Sequence, residues 1–83
     1  MYSDQVIGNN IRALRLMRNY SQDYLASKLN ISQNAYSKLE LGYIRIKLET
    51  ILTITEVLET DIITLITWHS TNRQYEQSII TTN

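Results

Sequence analysis

Apolar residues recur along this chain at helical spacing, in five blocks separated by polar or turn-forming residues. Ile7, Ile11, Leu14 and Met17 form one stripe and predict a first helix over residues 4–19, with Ser3 or Asp4 as its N-cap. Gly8 inside that stripe costs about 1 kcal/mol relative to alanine, which marks it as a place for a close helix contact. Leu25, Ala26 and Leu29 set a second helix. Ser21 caps it, and Asp23 lies in its first turn, where the helix dipole favours negative charge. Asn30 falls where the chain must reverse, and asparagine tolerates the left-handed conformation of a helix C-cap. Ile31 is expected to point back inward. Ser32 caps a third helix, to residue 41, that buries Ala35, Tyr36 and Leu39, and Gly42 ends it. In the loop that follows, Ile46 is expected to plug the core. Leu48, Ile51, Leu52, Thr55 and Leu58, widened by Ile54 and Val57, predict a fourth helix over 48–58. Glu59-Thr60-Asp61 reads as a break and a new cap, and Ile62, Leu65 and Ile66 mark a fifth helix over 61–67.

Residues 21–40 therefore read as two short helices around a tight turn. The outward residues of the second are Gln33, Asn34, Ser37 and Lys38. All four can donate hydrogen bonds and none is acidic, a face suited to base edges in a DNA major groove. Ala26 is small where the two helices must cross. An ordinary helical hairpin in a small bundle has the same spacing.

Charge placement sharpens this picture. Over the 83 residues the formal net charge is zero, but between positions 12 and 47 seven basic residues face only Asp23 and Glu40, a local net of +5. Glu49, Glu56, Glu59 and Asp61 follow, a local net of −4. The chain is thus basic over the part that would read DNA and acidic behind it, and a local basic face is what phosphate binding requires.

Cysteine is absent, which excludes disulfides and thiol chemistry. Proline is absent and glycine occurs twice, which favours uninterrupted helices. No apolar run approaches the roughly 20 residues of a membrane span, and the N-terminus lacks the pattern of a signal peptide. A single cytoplasmic domain is the expectation.

Ile7-Gly8-Asn9-Asn10-Ile11-Arg12-Ala13-Leu14-Arg15, then Ser21-Gln22 with Leu25-Ala26, then Glu40-Leu41-Gly42, resembles the Xre family of phage-repressor-type DNA-binding domains. The likeness runs over residues 7–66. It implies an all-α fold: a five-helix lambda-repressor-like DNA-binding domain with a helix-turn-helix, plus a short C-terminal extension. It implies that Arg15 pairs with Glu40 and locks the first helix to the third, where the bare sequence allows two independent surface charges. It implies that Gln22 hydrogen-bonds a phosphate, where the bare sequence allows a solvated polar residue. Gln33, Asn34 and Lys38 become base-contact candidates, with Ser37 able to reach base or phosphate. Tyr36 is expected to pack inward with its hydroxyl near the edge. Tyr43, Arg45 and Lys47 are expected to face the DNA backbone, although this loop lacks the proline that many relatives carry. Ile63, Ile66 and Trp68 are the expected dimer interface.

On this reading residues 1–67 form the DNA-binding domain, and 68–83 form a tail that dimerises or stays disordered. The sole histidine, His69, has no cysteine or second histidine to complete a metal site. With no cysteine nucleophile, no phosphate-cradling glycine loop and only scattered carboxylates, no enzyme, cofactor or small-molecule ligand is expected. The expected partners are double-stranded DNA and a second copy, in a repressor reading a palindrome. The alternative is an antitoxin or adaptor whose C-terminal tail binds a partner protein.

Overall fold

The computed structural model describes residues 3–71. It contains five helices: α1 (Asp4–Met17), α2 (Gln22–Leu29), α3 (Gln33–Leu41), α4 (Leu48–Val57) and α5 (Ile62–Thr71). The caps explain most of the helix starts. The hydroxyls of Ser3, Ser21 and Ser32 accept from the backbone N–H groups of Val6, Tyr24 and Ala35 at 3.2, 3.0 and 3.1 Å. The Asp61 carboxylate accepts from Thr64 N–H at 2.7 Å and opens α5. This hydrogen bond holds the Asp61 carboxyl below its ordinary pKa. Asn30 and Gly42 end α2 and α3 in the left-handed conformation, at φ 60° and 77°.

The core is one cluster built from every helix. Ile11, Leu25, Tyr36, Ile54, Leu58 and Leu65 are fully or almost fully removed from solvent. Each such apolar side chain contributes about 1.5–3 kcal/mol of transfer free energy. Ile46 fills the core from the loop between α3 and α4, as its place in the pattern suggested. Asn10 is the polar residue inside the packing of α1 on α5, and its amide donates to the Leu65 carbonyl at 2.8 Å.

Gly8 shows why α1 and α3 lie so close. A Cβ built there would stand 2.5 Å from the Glu40 carbonyl oxygen and 2.8 Å from that of Leu39. Both are backbone atoms of α3, so only glycine fits.

Five expectations are corrected. α1 ends at Met17, and Asn19 turns the chain at φ 60°. Met17 is 63% exposed, because the stripe drifts off the core in the last turn. Ile31 is 37% exposed at the turn. On α4, Leu48 and Leu52 face solvent, while Ile51, Ile54 and Thr55, with Leu58 at the C-cap, face the core. α4 carries apolar residues on several sides, so periodicity alone does not select the buried one. Finally, α5 runs to Thr71, beyond the expected end at residue 67. Nothing in Trp68-His69-Ser70-Thr71 is a helix stop signal.

Candidate nucleic-acid interface

α3 is held by one face and presents the other. Tyr36, Leu39 and Glu40 are buried beneath it. Gln33, Asn34 and Lys38 are exposed and Ser37 is half-buried. None of these four side chains makes a hydrogen bond or ion pair among the described residues. The outer surface of α3 is thus a row of unused donors on a rigid element.

Its rigidity comes from below. Arg15 Nε donates to Glu40 Oε2 at 2.6 Å, and Arg15 Nη2 donates to Glu40 Oε1 at 3.1 Å. Arg15 Nη1 donates to the Tyr20 carbonyl at 2.9 Å, which also fixes the connection between α1 and α2. Both charges are buried, Glu40 to 2% exposure. The hydrogen bond to Glu40 outweighs desolvation and raises the Arg15 pKa further above its ordinary value, so the guanidinium stays charged.

Gln22 joins this network from α2. Its Nε2 donates to Glu40 Oε1 at 3.1 Å. The buried carboxylate therefore receives donors from α1 and α2 while belonging to α3. A primary amide has two N–H donors, so one on Gln22 remains unused by this contact.

Tyr36 lies wholly inside, and its hydroxyl is buried without a hydrogen-bond partner. Its hydroxyl was expected near the edge; the close approach of α3 to the core carries it inward instead. Burial, reinforced by the nearby Glu40 carboxylate, pushes the phenol well above its ordinary pKa.

Beyond Gly42 the chain turns outward. Tyr43 is 74% exposed, and Arg45 and Lys47 are exposed without an ion pair among the described residues. Lys47 is the N-cap of α4 but makes no side-chain cap bond, so the first-turn N–H donors of α4 lack a side-chain cap beside these two cations. The loop is tied back to α1 by Asp4, whose carboxylate accepts from Ile46 N–H at 3.1 Å. That tether joins residues 42 positions apart, and only the folded packing brings them together.

The residues expected at a dimer contact are placed differently from one another. Ile63 is 64% exposed, whereas Ile66 and Trp68 are partly buried against the core. The tail beyond residue 71 lies outside the described residues. Among the described residues no group of histidine, cysteine, aspartate and glutamate can hold a metal, and no helix is long and apolar enough to cross a membrane.

A family model described as helix-turn-helix matches residues 11–65. No curated protein and no solved structure matches the chain.

Proposed function

Because this chain belongs to the Xre-type, lambda-repressor-like family of helix-turn-helix DNA-binding domains, we propose that it is a sequence-specific transcriptional regulator, a dimeric repressor that reads a palindromic operator with α3. The observation that carries this reading is the outer face of α3: four hydrogen-bond donors with no internal partner, no acidic side chain among them, on a helix fixed by a buried ion pair. Gln33 and Asn34 suit adenine N6 and N7, and Lys38 suits guanine O6 and N7. Ser37 supplements them at base or phosphate.

The flanks supply phosphate contacts. Gln22 lies in the first turn of α2, where the dipole and free N–H groups favour an anion. Tyr43, Arg45, Lys47 and the uncapped start of α4 offer a second anchor. Two anchors on either side of α3 set its register along the duplex. One such domain reads only a few base pairs. A second copy, meeting the first through Ile63 with Ile66 and Trp68 behind it, doubles the site and makes it palindromic.

Selection of binding sites from a random DNA pool tests this reading, followed by titration of affinity against salt. An enriched palindrome with half-sites about 34 Å apart and a steep salt slope is the expected result. Recovery of no enriched sequence, with only weak salt-sensitive binding, refutes specific regulation and directs attention to a protein partner.

A further inference from the structure

A groove of about 440 Å³ opens beside the reading head, between the α2–α3 turn, the loop after α3 and the start of α4. Its apolar lining includes Leu29, Ile31, Ala35, Leu39, Ile44 and Ile46. Two of these, Ile31 and Ile44, are 37% and 40% exposed, although both border the groove. Three cations, Lys28, Arg45 and Lys47, also line it, against the single carboxylate of Glu49. Arg45 and Lys47 have no ion pair among the described residues, and Lys28 stands over the Tyr24 ring at 5.3 Å.

Apolar walls with an excess of unpaired positive charge select one chemistry. We infer that this groove binds a small amphipathic anion: an apolar chain laid against the isoleucines, with a carboxylate or phosphate head held by Arg45 and Lys47. The volume is that of pockets which hold small ligands. The chain covers apolar surface that is otherwise wet, and the head meets cations that have no partner to lose. Only Ile44-Arg45-Ile46-Lys47 forms a longer continuous run in this site. The site draws on four segments, which is why the pattern of the chain gave no sign of it.

A consequence follows that rests on the proposed DNA reading. Arg45 and Lys47 are also the proposed phosphate anchors, so an anionic head in the groove and a DNA backbone compete for the same charges. Coupling of this kind is reciprocal: the ligand weakens DNA binding by the factor by which DNA weakens the ligand.

The test uses octanoate as probe, with acetate and octanol as controls for head and chain alone. The isotope-labelled full chain is titrated without DNA and followed by amide NMR. The expected result is saturable shifts centred on Ile31, Ala35, Ile44 and Ile46, with both controls binding about ten-fold more weakly or worse. Arg45→Ala with Lys47→Ala should bring octanoate down to the level of octanol, and Ile44→Ser should weaken both. All three positions are exposed or on loops, and a retained dispersed spectrum verifies folding. Absence of saturable shifts, shifts centred on another face, or equal binding of octanol and octanoate overturns the site. A second arm adds octanoate to the DNA complex. Octanoate bound in the groove by a chain that binds no DNA supports the site and refutes the regulator reading. Octanoate bound in the groove with undiminished DNA affinity overturns the competition.

Discussion

Arg15 and Glu40 meet through two hydrogen bonds, at 2.6 and 3.1 Å, with both side chains almost wholly out of water. Neither charge has a tolerable alternative to the other. Arg15→Ala should therefore destabilise the domain by about 3–5 kcal/mol, because it leaves a buried carboxylate uncompensated. Replacing both partners by apolar residues of similar volume should cost far less. Urea denaturation followed by circular dichroism measures each. Equal losses for the single and double variants would show that leaving one charge uncompensated adds no cost beyond losing the pair.

Tyr36→Phe should make the domain more stable. The tyrosine hydroxyl is buried without a hydrogen-bond partner, and an unsatisfied buried polar group costs about 1–3 kcal/mol. Removing the oxygen leaves the ring packing intact. The gain should appear as a melting point higher by about 4–8 °C per kcal/mol in a domain of this size. A lower melting point would reveal that the hydroxyl is paired, through water or through Glu40.

Gly8→Ala should be disruptive, although alanine is the better helix former. The added methyl would meet two backbone carbonyls of α3 at 2.5 and 2.8 Å. Backbone cannot swing away as a side chain can, so overpacking of about 1–3 kcal/mol exceeds the helix-propensity gain of about 1 kcal/mol. Thermal melting decides the sign, and a stabilised variant would refute the close approach of α1 to α3.

Substitutions on the two parts of the proposed DNA face should differ in kind. Gln33→Ala, Asn34→Ala or Lys38→Ala should each cost about 1–3 kcal/mol at the selected site and relax preference at one base position. Arg45→Ala or Lys47→Ala should weaken all sequences alike and lower the salt slope by about one. None should change thermal stability appreciably, since these side chains have no partners within the domain. Binding isotherms at several salt concentrations separate the two classes. Uniform loss from Gln33→Ala, with no change in base preference, would remove that residue from the readout.

Asp61 makes the start of α5 sensitive to acid. Its folded pKa is depressed by the hydrogen bond from Thr64 N–H, relative to about 3.9 unfolded. A depressed carboxylate contributes stability above its unfolded pKa and loses it as pH falls through the lower folded value. Stability should therefore decline below about pH 4 partly through this cap. Asp61→Asn keeps a capping side chain without the titration. Melts from neutral to acidic pH should show a shallower decline in the variant, and identical profiles would remove Asp61 from the acid response.

Much of this architecture was legible in the residues themselves. The serine caps, Asn30 and Gly42 are local signals, and each stands where the helix boundaries require. The basic and acidic halves were legible for the same reason: charge is counted along the chain. What escaped reading depends on packing. α4 is apolar on several sides, so nothing local distinguishes buried Ile54 from exposed Leu52. Ile66 and Trp68 look like a free surface until α5 is laid against its neighbours. Gln22 offers no hint that it reaches a carboxylate 18 positions away. The Arg15–Glu40 contact was anticipated only through the family resemblance, since spacing alone allows two unrelated surface charges.

The four outward side chains of α3 make no hydrogen bond or ion pair among the described residues, while the helix that carries them is fixed by what lies beneath. On the proposed DNA reading, target choice and foldedness are thereby entrusted to different residues. If these residues read an operator as proposed, a lineage can drift from one operator to another by changing Gln33, Asn34, Ser37 or Lys38, without passing through an unstable ancestor. A library randomised at these positions should likewise return mostly folded proteins, each a starting point for selecting a new binding site.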